Sequence, residues 1–240
     1  MTEKPKDHHE DHKDYRFYGR RQGHPLRPAR RKLVEGLLPE LRISIPADGT
    51  PIDVPSLFGE TKRAYWIEIG FGGGEHLAAI AEANPDVGFI GCEPFINGVS
   101  SLLAMIHERS LSNIRIYDDD ARHLLPLLPD TLFERLYLLY ADPWPKKRHN
   151  RRRFVQPDIL DSFARIIQDA GKFKFASDFM DYVRWTLAHV TVHPDFQWTA
   201  RGPEDWRIRP VDSIETRYEA KAKKAGSDCV YLDFVRRPRG

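Results

Sequence analysis

Short apolar runs alternate with longer helical segments from residue 65 to the end of the chain, and this rhythm admits few architectures. Strand composition falls at 65–69, 88–93, 113–117, 135–141, 172–176 and 229–235, and helical composition at 75–83, 99–109, 157–169 and 181–190. Parallel strands need crossovers of about a dozen residues or more, which the helical segments supply. The pattern therefore predicts an α/β domain with a mainly parallel sheet and helices on both faces. Strands near the carboxyl end predict an antiparallel hairpin at one edge. Residues 33–63, interrupted by prolines at 39, 46, 51 and 55, predict a short helix and a covering loop.

Residues 1–32 carry too few apolar groups to offset their ordering entropy and read as a flexible basic arm before a single domain over 33–240. His8, His9 and His12 belong to that solvated tail, and no metal site is expected. Net charge is only +2, but the bases are bunched at the amino end, at 146–153 and at 236–239. Cys92 and Cys229 lie in apolar surroundings and read as free thiols of a reducing compartment. No apolar stretch approaches the roughly 20 residues that span a bilayer, so a cytoplasmic protein without a membrane partner is expected.

The first strand runs into Glu68-Ile69-Gly70-Phe71-Gly72-Gly73-Gly74, where glycines permit positive φ and close approach of a ligand to the backbone. Glu93 ends the next strand and can accept both hydroxyls of a ribose, so the loop predicts a nucleoside cofactor. A dinucleotide fingerprint wants a small residue where Glu75 stands, and Glu68 would repel a pyrophosphate. The same acid suits an ammonium, which favours S-adenosylmethionine over NAD. Asp120, in Asp118-Asp119-Asp120, follows the third strand and reads equally as an adenine contact or a helix cap; Asp118 and Asp119 read as turn or cap residues. Glu93 has a capping alternative as well.

The fourth strand ends at Asp142-Pro143-Trp144-Pro145, and six Lys or Arg follow within residues 146–153. Ligands of open α/β sheets sit at the carboxyl ends of the strands, which places Asp142 for chemistry and the basic run for a polyanion. A solvated loop is the bland alternative for the run. Trp144 offers a stacking surface for a base.

Together Glu68-Ile69-Gly70-Phe71-Gly72, Glu93, Asp120-Ala121, Asp142-Pro143-Trp144-Pro145-Lys146-Lys147-Arg148-His149, Asp178 and Thr216-Arg217-Tyr218-Glu219 resemble the bacterial tRNA (guanine-N7)-methyltransferase family over roughly residues 60–238. The resemblance implies a Rossmann-like class I methyltransferase fold with a seven-stranded sheet and an antiparallel last strand. It implies transfer of a methyl group from S-adenosylmethionine to N7 of the guanine at position 46 of tRNA. Glu68, Gly70, Gly72, Glu93, Asp120 and Asp142 are expected to hold the cofactor. Lys146, Asp178, Thr216, Arg217, Tyr218 and Glu219 are expected to meet the substrate, and Arg148, Arg151, Arg152 and Arg153 the RNA. The arm, with Arg16, Arg20, Arg21, Arg27, Arg30, Arg31 and Lys32, would wrap the tRNA. No obligate protein partner is implied, and the state is monomer or homodimer. Ser177 stands where the family more often has threonine, Gly171 where it often has two glycines, and Asn150 where it often has histidine.

Guanine N7 carries a lone pair and no proton, so its methylation needs no general base and leaves the ring cationic. A carboxylate accepting from guanine N1–H and N2 would orient the base and oppose the developing charge. Asp142 is expected as the catalytic residue, with Asp178 in support. Thr216 and Glu219 also have the spacing of a capping box. The rival readings are a methyltransferase for another RNA base or a protein, a nucleotide-dependent oxidoreductase, and a non-catalytic RNA-binding protein on the same scaffold.

Overall fold

A computed structural model describes residues 17–240. Residues 1–16, with His8, His9, His12 and Arg16, lie outside the described residues. The boundary expected at residue 32 coincides with no structural one, because helix α1 (Pro28–Gly36) runs across it and continues into α2 (Leu38–Leu41). A 3-10 turn at Pro55–Phe58 then leads to strand β1 (Ala64–Ile69) and helix α3 (Glu75–Ala83). β2 (Val87–Cys92), α4 (Ile96–Arg109), β3 (Ile114–Tyr117), α5 (Ala121–Leu124) and β4 (Phe133–Leu139) follow. The second half comprises α6 (Pro157–Ile166), β5 (Ile167–Ser177), α7 (Met180–Val190), β6 (Phe196–Trp198), α8 (Glu204–Arg207), α9 (Arg217–Lys224) and β7 (Val230–Arg236).

One sheet has the order β3-β2-β1-β4-β5-β7-β6, with β7 antiparallel to both neighbours and the pairs from β3 to β5 parallel. The period-two alternation of β1 puts Trp66 against Phe89 and Tyr137 on the face of α3 and α4. Ile67 and Ile69 join Leu136 and Leu138 on the opposite face, beneath α6 and α7. Helix α3 buries Leu77, Ala78, Ile80 and Ala81 along one stripe; a fully buried Leu or Ile is worth about 1.5–3 kcal/mol. Lys174, buried in β5, donates to Asp233 of β7 at 2.8 Å, and this cross-strand ion pair marks the antiparallel register.

Two expectations need correcting. The carboxyl-terminal strands form no hairpin: β6 and β7 are neighbours, but α8 and α9 lie between them in the chain. The helix expected over 157–169 ends at Ile166, because Ile167 is extended and pairs with Phe133. Between Ile167 and Lys172 the register slips, and Ala170 takes φ +62° there.

Candidate active site

A cavity of about 540 Å³ opens at the carboxyl ends of β1, β2, β3 and β4. Gly70 and Gly72 supply one wall, Cys92 and Glu93 the next, then Asp119 and Asp120, and finally Tyr140 through Asp142 with Trp144. Gly72 has φ +58°, and a β-carbon there would stand 2.9 Å from the Tyr218 ring, so the loop leaves room for that ring only as glycine. Tyr218 lines the cavity as well.

Glu93 is buried, and its two oxygens have different tasks. Oε2 accepts from Gly72 N–H at 2.8 Å, and Oε1 accepts from Phe95 N–H at 3.0 Å. Burial raises its pKa against the pull of these two donors. The residue thus ties the glycine loop to the start of α4 while lining the cavity.

Asp120 is the N-cap of α5. It accepts from Arg122 N–H at 3.1 Å and holds the Arg122 guanidinium in an ion pair, so the cap is what the structure contains. Asp118 and Asp119 are not turn residues alone. Asp118 takes a two-pronged bond from Arg42 at 2.8 and 2.7 Å, and Asp119 pairs with Arg21 at 2.7 Å. Glu68 is absent from the cavity lining. Its Oε2 lies 2.7 Å from His76 Nδ1, with both side chains buried beneath the loop.

Asp142 opens into the cavity, flanked by Tyr140 and Trp144, whose φ values of +53° and +45° turn the chain back on either side of it. Among the described residues, no hydrogen bond or ion pair engages its carboxylate. Although the side chain faces the open cleft, crowding by its surroundings removes enough water to raise its pKa.

The basic run forms a 3-10 helix over Lys147–Arg152. Arg148 and Arg151 are exposed on it, as is Lys146 just before it. Arg152 is half-buried, its guanidinium 4.2 Å from the Tyr18 ring and 4.9 Å from the Trp144 ring. Trp144 is therefore already in contact with a cation, and with Tyr18 and His149 edge-on. Desolvation, then the charges of Arg152, Arg148, Lys146 and Arg151, lower the pKa of His149. Arg153 corrects the expectation that every arginine of the run meets RNA: its side chain is wholly buried, so no phosphate can reach it.

Asp178 is exposed just beyond β5 and, like Lys146, lies outside the cavity lining. Thr216 caps α9 by accepting from Glu219 N–H at 3.0 Å. The reciprocal half of the capping box is not formed. The buried Glu219 carboxylate instead accepts from Tyr231 Oη at 2.7 Å and pairs with Lys223 at 2.7 Å. Arg217 sits 3.5 Å from Glu75.

Sequence reasoning missed Phe17, Tyr18 and Gly19 and assigned Arg20 only to the tRNA-wrapping arm; all four close one side of the cavity. They are held by Arg21, whose carbonyl accepts from Ile96 N–H at 3.0 Å, and by Asn97, which bonds Gly23 N–H at 2.8 Å and the His24 carbonyl at 2.7 Å. The signal available was the aromatic pair Phe17-Tyr18 within an otherwise charged stretch. Among the described residues, no cluster of His, Cys, Asp and Glu is arranged for a metal, and no helix is long and apolar enough to cross a membrane.

A protein family described as "Putative methyltransferase" matches residues 62–232. A tRNA (guanine-N(7)-)-methyltransferase of Rhodospirillum rubrum is 52% identical over 241 residues, covering 100% of this chain and 92% of that one. A tRNA (guanine-N(7)-)-methyltransferase of Agrobacterium fabrum is 49% identical over 221 residues, 92% of this chain and 95% of that one. Among solved structures, an antibiotic-related methyltransferase superposes with a TM-score of 0.51 at 16% identity, over 82% of this chain and 96% of that one. An rRNA methylase from Streptococcus thermophilus gives 0.50 at 9% identity, over 73% and 87%. At such identities these two speak for the fold alone.

Proposed function

Since the chain belongs to the tRNA (guanine-N(7)-)-methyltransferase family and has the Rossmann-like class I methyltransferase fold, we propose that it methylates N7 of a tRNA guanine, at position 46, with S-adenosylmethionine as donor. The observation that carries this reading is the unpaired Asp142 carboxylate, which shares a cavity with Glu93 and the glycine loop. A cavity of this size, apolar at Ile69, Leu138 and Ala121 with a few acids converging on it, fits an adenosine-bearing cofactor. When bound, that cofactor supplies an electrophilic sulfonium methyl.

In this reading Glu93 takes the ribose hydroxyls on whichever lone pairs Gly72 and Phe95 leave free. Gly70 and Gly72 let the ligand approach the backbone. Asp120 shapes the adenine end as the cap of α5, and Glu68 supports the loop from beneath because His76 occupies its carboxylate. Asp142 accepts from guanine N1–H and N2, places N7 in line with the methyl group and opposes the ring's developing positive charge. No proton has to leave N7. Asp178 and Lys146, both exposed and outside the cavity lining, are left to the tRNA, and Tyr218 closes over Gly72 from α9, with Thr216, Arg217 and Glu219 holding its helix.

The direct test is incubation of the protein with methyl-labelled S-adenosylmethionine and bulk tRNA, followed by nucleoside analysis. Label in 7-methylguanosine is expected, and it should disappear from a tRNA whose guanosine 46 is replaced by adenosine. Label in another nucleoside or in protein overturns the assignment.

Arg148 and Arg151, exposed beside the cleft, serve as phosphate contacts. Replacing both with alanine should weaken tRNA binding and flatten the slope of log K against log salt by about 0.9 for each contact on duplex-like RNA. Cofactor affinity should hold. A parent-like salt slope in filter-binding titrations would reduce the run to a solvated loop.

A further inference from the structure

The last arginine of the basic run is built into the protein in a way that charge alone does not require. Arg153 Nε donates to the Pro143 carbonyl at 2.9 Å, directly beside Asp142. Its Nη2 is paired with the Asp181 carboxylate, and Nη1 lies 3.4 Å from the Asp181 carbonyl, in the first turn of α7. The guanidinium sits 5.2 Å from the Tyr182 ring and 5.3 Å from the Trp185 ring. Both rings are themselves fixed to Val155, two residues past the run: Tyr182 Oη accepts from Val155 N–H at 3.3 Å, and Trp185 Nε1 donates to the Val155 carbonyl at 2.8 Å.

We propose that Arg153 is a positioning residue for methyl transfer, tying the loop that carries Asp142 to the loop and helix that follow Asp178. The proposal rests on the role given to Asp142 above. A buried charge is tolerated only where its donors are matched, and here one planar fork reaches a carbonyl after β4 and a carboxylate on α7 at the same time. A lysine ammonium can occupy one of those places but cannot span both. The tie therefore sets how far Asp142 stands from the β5 side of the cleft. The exposed arginines of the run act on RNA, and this one acts on geometry.

The test is steady-state kinetics of Arg153→Lys, alone and combined with Asp142→Asn, with thermal unfolding and cofactor titration on each protein. Misplacing a catalytic group by about 1 Å costs up to roughly 100-fold, so a fall in kcat of about 10- to 100-fold is expected in Arg153→Lys. The tRNA Michaelis constant and its salt slope should stay parent-like, and in the Asp142→Asn background Arg153→Lys should add little further loss. A parent-like kcat in folded Arg153→Lys overturns the proposal, as does a multiplicative loss with Asp142→Asn. A flattened salt slope overturns it too, since that is the mark of a phosphate contact. Should Arg153→Lys fail to fold, Asp181→Asn carries the test, because Asp181 is largely exposed and keeps its shape; parent-like kcat there is equally fatal. A fully active Asp142→Asn removes the underlying reading and the proposal together, whereas a slow Asp142→Asn beside a fast Arg153→Lys removes the proposal alone.

Discussion

Asp142→Asn is expected to lower turnover by about a hundredfold, the scale on which losing one electrostatic contact to a transition state acts, while the tRNA Michaelis constant should move little. Asparagine keeps the size and one acceptor but loses the charge, and charge matters most when the purine becomes cationic. The raised pKa of Asp142 adds a consequence for stability. Below the ordinary carboxylate range the group is protonated in folded and unfolded chains alike and contributes no difference. As pH rises through the folded value, ionisation costs more in the folded protein than in the unfolded one, and the parent loses stability. The variant should therefore melt above the parent at neutral pH, with the gap closing in acid. Substituting inosine for the target guanosine removes the N2 amine and leaves N7. If Asp142 accepts from that amine, inosine slows the parent strongly and the variant less. Purely additive losses would transfer the contact to Asp178.

Gly98→Ala is expected to cost the protein its cofactor site. Gly98 lies in the first turn of α4, where an added β-carbon would stand 2.0 Å from the carbonyl oxygen of Gly72 and 3.0 Å from its carbon. Both atoms are backbone, so nothing flexible can give way, and the glycine loop must move off Glu93, which holds Gly72 N–H at 2.8 Å. Overpacking of this kind costs about 1–3 kcal/mol, which is about 5- to 150-fold if it falls on cofactor affinity. Gly36→Ala is the control, because its β-carbon meets nothing within 4 Å at the end of α1. There, alanine's helix preference should stabilise by up to about 1 kcal/mol and leave binding alone. Calorimetric titration with S-adenosylmethionine separates the two; equal affinities in both variants would show that the loop does not need its present position.

The alternating elements were legible because their periodicities are local. Helix α3 was bounded by Gly74 and Asn84, and β1 by its apolar run and the glycines after it. Strand β6 was not legible, since three residues carry no period and their partner, β7, lies beyond two further helices. The acids Glu93 and Asp142 were placed at the cavity by their positions at strand ends alone. Burial within a charge run was not readable: nothing in Arg151-Arg152-Arg153 says which side chain turns inward, because that depends on Asp181, Tyr182 and Trp185 on a distant helix. Glu68 and Glu219 share that limitation. Their partners, His76 and Tyr231, are met only when separate elements pack.

The place of β7 between β5 and β6 also dictates an order of events on the ribosome. The parallel pairs from β3 to β5 can form while the rest of the chain is still being made, but β5 then presents an open edge, and β6 has nothing to pair with until β7 emerges. Such an edge is a template for another nascent chain. Lys174, stranded on it without Asp233 during that interval, puts a charge where a neighbouring strand would have to dock. The lysine whose ion pair marks the register of the finished sheet is thus, while still unpaired, a charge that opposes docking on the unfinished one.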